Sequence, residues 1–310
     1  MGETANCGAR YAALMCLERY RRDGAWSGAG IDGMIKKYGL DRRDAALTAR
    51  LCLGVLQNSS FCDYYIDLYS STKLEPKLRD ILRLGAYQLL FMDKIPHRAA
   101  VSESVALCKA CGYARASGLV NAVLRRISEN SQDLPEIPGR GGTDYLSLRY
   151  SHPRWLVKRL TALLGEETES FLAADNTPAP LTVQVNPLKT TPEDLTASLA
   201  AQGVTARPHP WVPGCLELTG AGDLTALEPF RKGDFLVQDG AAALVAPVAG
   251  VKPGDRVLDV CAAPGGKTCY LAERMNGTGR VQSWDLHPHR VRLIEAQARR
   301  LHLDNVRPMA

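Results

Sequence analysis

Hydrophobic side chains recur at helical spacing through roughly the first 130 residues of the chain. In KLRDILRLGAYQLLFM, the positions on one face of a helix are Leu78, Ile81, Leu82, Gly85 and Leu89. In SESVALCKACG, Ser102 is placed to cap the start of a helix and Gly112 to end it. No segment here alternates between apolar and polar residues as a strand does. Residues 1–130 are therefore predicted to form an all-α domain.

A further helix and a linker close this region. In SGLVNAVLRRI, the inward positions are Leu119, Val120, Val123, Leu124 and Ile127. The same spacing directs Arg125 and Arg126 outward. The next segment, SQDLPEIPGRGG (131–142), is polar, rich in Pro and Gly and without an apolar period, which predicts a linker.

After the linker the pattern becomes mixed. YSHPRWLVKRLTALLG predicts a helix capped by Ser151. LTVQVNPL alternates like a strand, with Leu181, Val183 and Val185 on one side and Thr182, Gln184 and Asn186 on the other. TPEDLTASLAAQG has Thr191 at the cap, Pro192 at the first helical position and Gly203 after the end, and GCLELTG predicts a second strand. Residues 143–235 are thus expected to form a small α+β unit.

From residue 236 onward, helical and strand patterns alternate, which is typical of a parallel-sheet α/β domain with a Rossmann-like fold. A short strand at 256–260 precedes a helix from about Lys267, a second strand at GRVQSW, another helix and a third strand at NVRPM. The chain ends at Ala310, so residues 236–310 are expected to form an incomplete domain. A parallel sheet of two or three strands has an unpaired edge and a half-covered face, and we expect low stability for this region alone.

The connection between the first strand and its helix, VCAAPGGKT, consists of small residues that let the backbone approach a ligand closely. The helix that follows presents its N-terminal amides and positive dipole end to the same place. Asp285 comes twenty residues after Gly265, at the end of the second strand. A carboxylate there is placed to accept hydrogen bonds from ribose hydroxyls, which predicts a cofactor that contains adenosine.

The residues missing from this turn narrow the choice of cofactor. A phosphate loop requires Gly five positions before its Gly-Lys pair, and that position is Cys261. The dinucleotide fingerprint G-x-G-x-x-G is absent, because Gly265 and Gly266 are adjacent. S-adenosyl-L-methionine has no phosphate and fits such a turn, and Asp259 is placed to reach its ammonium group. The alternative is that the turn is only a tight strand–helix connection.

Composition and charge restrict the class of protein without choosing the function. The chain has 310 residues, 45% of them hydrophobic and 23% charged, as in an ordinary globular protein with room for several domains. No apolar stretch is long enough to span a membrane, and the N-terminal region has charges where a signal peptide has an apolar core. Nine cysteines without framework spacing favour a reducing, cytoplasmic location. A net charge of +5 permits a nucleic-acid partner but does not require one.

Three stretches give the chain a specific family resemblance. VCAAPGGKT, preceded by VQDGAAALVA and followed by Asp285-x4-Arg290, resembles the RNA cytosine-5 methyltransferases. LRLGAYQLLFMDKIP, VSESVALCK and GLVNAVLRRI resemble NusB. A NusB-like domain before such a methyltransferase domain is similar to the Sun/Fmu family of bacterial 16S rRNA (cytosine-5) methyltransferases, and the resemblance covers nearly all of the chain.

The resemblance implies specific roles for these residues. It implies that the S-adenosylmethionine site is lined by Cys261, Ala262, Ala263, Pro264, Gly265, Gly266 and Lys267. It also implies that Asp285 holds the ribose and that the unit after the linker is part of the RNA-binding surface. In this family a cysteine thiolate adds to carbon 6 of cytosine, and a second cysteine assists release. These cysteines lie in Pro-Cys and Thr-Cys motifs after the fourth and fifth strands, beyond Ala310. No catalytic residue is therefore assigned, and we expect the 310-residue chain to be inactive.

Other cysteines in the chain are better explained by packing. Thr268-Cys269 has the dipeptide of a family motif, but it lies in the first turn of the helix after the cofactor turn, where packing is the favoured interpretation. Cys108-x-x-Cys111 has no second pair and lies on an amphipathic helix. We therefore expect no metal site there.

A cluster of basic and aromatic residues suggests contacts with RNA. Within RYSHPRWLVKR, the candidates are Arg149, His152, Arg154, Trp155, Lys158 and Arg159. The favoured interpretation of Trp155 is a core position beside Leu156 and Leu160, with Arg154 and Lys158 still free to meet phosphates. Arg125 and Arg126 allow the same two interpretations. His287 and His289, on either side of a proline, are read as surface or capping residues.

The expected function is S-adenosylmethionine-dependent methylation of a cytosine at carbon-5 in 16S ribosomal RNA. The expected partner is this RNA, without a membrane, a metal or a required oligomer. Two alternatives stay open: a non-catalytic RNA-binding or antitermination factor with a vestigial cofactor domain, and a cytosine-5 methyltransferase acting on another RNA such as tRNA.

Overall fold

The computed structural model describes residues 8–23 and 28–310, in two compact units, Met1–Thr177 and Pro178–Ala310. The predicted fold class is confirmed: an all-α unit, a small mixed sheet and a Rossmann-like region with a parallel sheet. The described helices of the first unit are α1 (Ala9–Asp23), α2 (Gly28–Tyr38), α3 (Arg42–Gln57), α4 (Ser59–Tyr69), α5 (Pro76–Phe91), α6 (His97–Ala110), α7 (Ser117–Glu129), α8 (Thr143–Arg149), α9 (Arg154–Leu164) and α10 (Thr168–Asp175).

The apolar periods predict the central helices of this unit well. Helix α5 is the most deeply buried, and it carries a buried carboxylate, Asp80, that is paired with Arg83 at 2.9 Å and Arg21 at 3.3 Å. Helix α7 buries Val120, Val123, Leu124 and Ile127 as predicted, with Leu119 half-buried. Gly112 ends α6 with a φ of 85°, also as predicted.

Both predicted serine caps are wrong, and in both cases a proline marks the start of the helix. Ser102 lies inside α6, which begins at His97 after Pro96. Ser151 has a φ of 55° and precedes Pro153, after which α9 begins. Proline fixes φ and has no N–H, so it costs nothing at a helix start where that donor has no intrahelical partner.

The predicted linker is folded against the helical unit. Ile137 is buried in the helical core, and the Tyr65 hydroxyl donates to the carbonyl of Pro135 at 3.0 Å. The helices at 143–175 also cluster with this unit, whereas the sequence pattern groups them with the strands that follow. They have a small core of their own, Leu146, Val157 and Leu172. The N–H of Phe61 on α4 donates to the Ser151 hydroxyl at 3.0 Å.

The second unit begins with a four-stranded antiparallel sheet in the order β2-β3-β1-β4. Its elements are β1 (Leu181–Val185), α11 (Pro192–Ala200), β2 (Thr205–Pro208), β3 (Cys215–Thr219), α12 (Glu228–Lys232) and β4 (Phe235–Val237). Thr191 caps α11 by accepting the Asp194 N–H, as predicted. The alternation in β1 correctly predicts a strand, but its polar side is buried too: Gln184 is 1% exposed.

A parallel three-stranded sheet, β5-β6-β7, follows in the same unit. The elements of this region are α13 (Gly240–Ala243), α14 (Val245–Ala249), β5 (Arg256–Asp259), α15 (Gly266–Arg274), β6 (Arg280–Trp284), α16 (Pro288–Leu301) and β7 (Val306–Met309). Strand β5 is an edge strand within the described residues, and Leu258 on it is half exposed. The predicted order of strands and helices is therefore confirmed over 256–309.

Neither a membrane span nor a metal cluster is found in the described ranges. In residues 8–23 and 28–310, no helix combines the length and apolar character needed to cross a bilayer. Over the same ranges, no group of three or more His, Cys, Asp or Glu side chains is arranged to hold a metal ion.

A buried carboxyl group lies where α15 packs against the antiparallel sheet. Glu273 on α15 is 0% exposed, and within the described part of the chain neither of its oxygens has a hydrogen-bond partner. Burial raises the pKa of Glu273 to about 8, against the opposing effects of the neighbouring Gln184 amide and the charges of Arg300 and Lys189. The Oε1 atom of Gln184 has no donor within the same part of the chain. A protonated Glu273 has a hydroxyl that can donate to such an acceptor.

We predict that the stability of the second unit falls as pH rises from about 5 to about 8. Glu273 has a higher pKa in the folded state than in the unfolded chain, so the folded state retains the proton across this window. The loss is at most about 1.4 kcal/mol per pH unit. Urea unfolding followed across this range checks the prediction. Glu273→Gln is neutral and should flatten the pH dependence, and an equally steep slope in this variant would contradict the assignment.

The helical core leaves no room for a side chain at Gly85 on α5. A Cβ there would lie 2.5 Å from Leu124 Cδ1 and 2.8 Å from the Ser104 hydroxyl. We expect Gly85→Ala to lower the free energy of unfolding by about 1–2 kcal/mol, since overpacking outweighs the gain in helix propensity. Thermal unfolding measures this. The matched control is Gly118→Ala on α7, where a Cβ has open space, and it should leave stability equal or slightly higher.

Candidate functional site

The predicted cofactor turn, Cys261–Lys267, joins the end of β5 to the start of α15. It is fastened to the next strand by the Ala262 N–H, which donates to the Trp284 carbonyl at 2.9 Å. Within the turn, the Gly265 N–H donates to the Ala262 carbonyl at 2.7 Å. Cys261, Pro264 and Lys267 are exposed, while Ala262 and Ala263 are buried. One side of the turn is therefore exposed to solvent, and the other side is buried.

The two glycines are required by close approaches on different sides of the turn. Gly265 has a φ of 108°, and a Cβ there would lie 3.3 Å from the Cα of Ile294 on α16. A Cβ on Gly266 would collide with Oε1 of Gln238, which follows β4. A side chain at Gly265 would strain a left-handed backbone, and one at Gly266 would displace the Gln238 amide.

Asp285 lies directly after β6, as predicted, with its carboxylate against the turn. Its Oδ2 accepts the Ala263 N–H at 3.2 Å, and its Oδ1 accepts the His287 N–H at 3.4 Å. Arg290 on α16 lies 3.7 Å from the Asp285 carboxylate and donates to the Ala263 carbonyl at 3.1 Å. Asp285 and Arg290 thus bind the N–H and the carbonyl of the same residue, Ala263. The motif Asp285-x4-Arg290 contains this arginine, and the structure adds its hydrogen bond to the Ala263 carbonyl.

Asp259 secures the other side of the turn. Its Oδ2 accepts the Thr268 hydroxyl hydrogen bond at 2.7 Å, and its Oδ1 accepts the Cys261 N–H at 3.2 Å. From the sequence, Asp259 is predicted to reach the ammonium group of a cofactor. In the structure its contacts fix the start of α15 to the end of β5.

Gln238 is a site residue that the sequence pattern did not identify. It is 6% exposed, its Oε1 lies on Gly266, and its Nε2 has no hydrogen-bond partner in the part of the chain that the structure describes. A buried amide N–H₂ without an acceptor is costly, so this atom is available to an acceptor that enters the turn. The only signal in the sequence was its place in VQDG, just before the turn region.

The cysteines near the turn differ in exposure. Cys261 is exposed at the turn. Cys269 is fully buried, and burial together with the charge of Glu273 raises the pKa of its thiol to about 12. A thiol with that pKa is protonated at neutral pH and is not a nucleophile. The packing interpretation of Thr268-Cys269 is confirmed.

The favoured interpretation of Trp155 as a core residue is wrong. Trp155 on α9 is 66% exposed, while Val157 is the fully buried residue of this helix and Leu156 and Leu160 are half-buried. Arg154 pairs with Asp144 at 2.6 Å, both side chains being exposed, and Lys158 is exposed. The helix therefore presents an indole and cations to solvent.

A second basic surface lies between α6 and α7. A cavity of about 580 Å³ is lined by His97, Arg98, Val101, Ser102, Asn121, Arg125, Ser128 and Glu129. The His97 Nδ1 lies 3.0 Å from the Ser128 hydroxyl. Arg98 and Arg125 are exposed and, among the described residues, neither has an ion-pair partner. Unpaired guanidinium groups beside hydroxyl and amide donors suit a phosphate group.

Three family models match consecutive parts of the chain. The NusB family matches residues 8–129, the ferredoxin-like domain of RsmF/B-like methyltransferases matches 152–225, and the 16S rRNA methyltransferase RsmB/F family matches 246–309. The resemblances drawn from sequence motifs are confirmed at both ends of the chain.

Two solved structures are also similar. The crystal structure of PH0851 covers 96% of this chain and 68% of its own, with a TM-score of 0.73 and 23% identity, which supports the fold. A methyltransferase homolog protein from Pyrococcus horikoshii covers 54% of this chain and 55% of its own, with a TM-score of 0.50 and 29% identity.

Curated relatives extend over almost the whole chain. The probable ribosomal RNA small subunit methyltransferase B of Bacillus subtilis is 34% identical over 300 residues, covering 95% of this chain and 66% of the relative. The protein of the same name from Synechocystis sp. is 33% identical over 304 residues, covering 96% of this chain and 68% of the relative. The chain thus spans about two thirds of the length of these relatives. On this similarity, it belongs to the ribosomal RNA small subunit methyltransferase B family.

Proposed function

We propose that this chain binds S-adenosyl-L-methionine at the turn Cys261–Lys267 and takes part in methylating carbon-5 of a cytosine in 16S ribosomal RNA. The observation that carries the proposal is the turn itself: two glycines in close contact with neighbouring elements, beside a buried carboxylate at the tip of the next strand. The family and the names of the relatives support rRNA as the substrate.

The residues present fit this cofactor. The glycines let the turn pack closely on Ile294 and Gln238, and the unpaired Nε2 of Gln238 offers a donor beside Gly266. Asp285 offers carboxylate oxygens where ribose hydroxyls are expected. When bound, S-adenosylmethionine supplies an electrophilic methyl group on a positively charged sulfur. Asp285 and Arg290 hold the Ala263 peptide in place, and Asp259 fixes the helix start, so the turn is organised before a ligand enters.

The proposed RNA contacts lie on two exposed surfaces of the first unit. Arg98 and Arg125 line one cavity, and Lys158 accompanies the exposed Trp155 on α9. Guanidinium and ammonium groups neutralise phosphates without reading sequence. These contacts would hold the RNA, while its chemistry takes place at the other unit.

We expect Asp285→Ala to weaken S-adenosylmethionine binding by roughly 10- to 100-fold, because hydrogen bonds to a charged group contribute about 1.5–3 kcal/mol. Isothermal titration calorimetry on the 310-residue chain measures this. Asp285→Asn keeps an acceptor for the Ala263 N–H and should be intermediate.

The matched control is Asp304→Ala, which removes an exposed carboxylate after α16 and should leave binding unchanged. ATP or NAD should give no heat in the same titration. The proposal fails if Asp285→Ala binds like the wild type, or if either phosphate-containing nucleotide binds better than S-adenosylmethionine.

The double variant Arg98→Ala/Arg125→Ala should bind 16S rRNA fragments more weakly, with a smaller salt dependence. Two lost contacts to single-stranded phosphates lower the slope of log K against log salt by about 1.4. Filter binding at several salt concentrations measures the slope. Arg19→Ala/Arg22→Ala, at the end of α1 where both arginines pair with Asp23, is the charge-matched control. Equal slopes in the two double variants would count against the α6/α7 surface.

A further inference from the structure

The loop between β2 and β3 presents a tryptophan almost entirely to solvent. Trp211, within HPWVPG (209–214), is 83% exposed. No other tryptophan, tyrosine or phenylalanine in the described ranges 8–23 and 28–310 is as exposed. A large aromatic side chain contributes nothing to a core in this position, so its exposure needs another explanation.

Hydrogen bonds within the loop keep it in one conformation. The Nδ1 atom of His209 accepts from the N–H groups of Trp211 and Val212, both at 3.2 Å. The His209 N–H donates to the Cys215 carbonyl at 2.9 Å, and Val212 is 3% exposed. The ring of Trp211 meets the edge of the His209 ring, with centroids 6.0 Å apart. The indole is thus held outward by an ordered loop.

The base of this loop joins the elements that support the cofactor turn. Val212 belongs to the same buried cluster as Ala262 and Ala263 of the turn. The His209 ring packs on the backbone of Gly240, where a Cβ would lie 2.5 Å from Nε2. Gly240 is two residues from Gln238, whose side chain lies on Gly266. A continuous set of contacts therefore connects the Trp211 loop with the turn.

We propose that Trp211 stacks on an unpaired base of the RNA substrate beside the methyl-donor turn. An enzyme that modifies a ring carbon of a base must act on a nucleotide outside the duplex stack. Unstacked bases are bound on exposed aromatic rings, and this binding tolerates different sequences because every base has a π face. An indole held outward by the ordered loop loses little freedom when a base binds. The inference rests on the proposed function, since it takes RNA as the substrate.

The test compares two exposed tryptophans in the 310-residue chain. Trp211→Ala should weaken binding of a labelled single-stranded 16S rRNA oligonucleotide by about tenfold or more in fluorescence anisotropy, and Trp211→Phe should recover most of the affinity. S-adenosylmethionine binding, measured by calorimetry, should be unchanged in both variants, which shows that the turn remains intact. Trp155→Ala, on the other unit, measures the contribution of the second exposed indole, and we expect a smaller loss of RNA affinity there.

The outcomes separate this inference from the proposed function. If Trp211→Ala binds RNA as tightly as the wild type, the stacking role is wrong and the proposed function still stands. A larger loss in Trp155→Ala than in Trp211→Ala also overturns it, because the principal stacking residue would then be elsewhere. Unchanged RNA affinity with altered self-association in sedimentation would assign Trp211 to a protein contact. A wild-type chain that binds no RNA refutes the proposed function and this inference together.

Discussion

The close approach of backbone at Gly265 and Gly266 is the constraint on which the second unit depends. A Cβ at Gly265, where φ is 108°, would lie 3.3 Å from the Cα of Ile294 on α16, and a Cβ at Gly266 would displace the Gln238 amide oxygen. Carboxylates on both sides, Asp259 and Asp285, then hold the peptide groups of the turn. Strand β5, helices α15 and α16, and the end of the antiparallel sheet all meet at this point. Any ligand bound there contacts a surface whose shape is determined by packing rather than by mobile side chains.

The small antiparallel sheet packs against the helices around the cofactor turn, which a separate RNA-binding unit would not need to do. Strand β1 buries both of its faces, and its Gln184 adjoins Glu273 on α15. Arg300 on α16 donates to the carbonyls of Phe230 and Phe235 at 2.8 and 3.0 Å, and its guanidinium lies 4.1 Å from the centre of the Phe230 ring. The antiparallel and parallel sheets therefore share buried polar contacts. A substrate held by one would be positioned relative to the other without an intervening hinge.

The parts of this fold that the sequence predicts are those determined by local chemistry. Helical periods identify α5 and α7, Thr191 and Pro192 mark the start of α11, and the small residues of the turn mark its place before α15. The errors at β1, Trp155 and Gln238 share one cause: local patterns do not reveal which distant element covers a surface. Alternation in β1 predicts a strand but not that its polar side is buried, with Gln184 beside Glu273 on α15. The apolar neighbours of Trp155 suggest a core position, yet on α9 the core is joined by Val157 and Leu160 while Trp155 is exposed. Gln238 becomes recognisable as a site residue only when the fold brings it onto Gly266.

Burial makes three of the cysteines packing residues with unreactive thiols. In the cytosine-5 methyltransferases that the sequence resembles, a thiolate activates the cytosine ring. Burial raises the pKa of the Cys62 thiol, that of Cys215 to about 11 and that of Cys269 to about 12, so these groups are protonated at neutral pH. Of these three cysteines, Cys269 is closest in sequence to the cofactor turn, but it points into the core formed by α15 and the sheets. The residues around the turn are thus suited to hold and orient a methyl donor, while activation of the base requires a thiol in a polar, accessible environment that these three cysteines do not have.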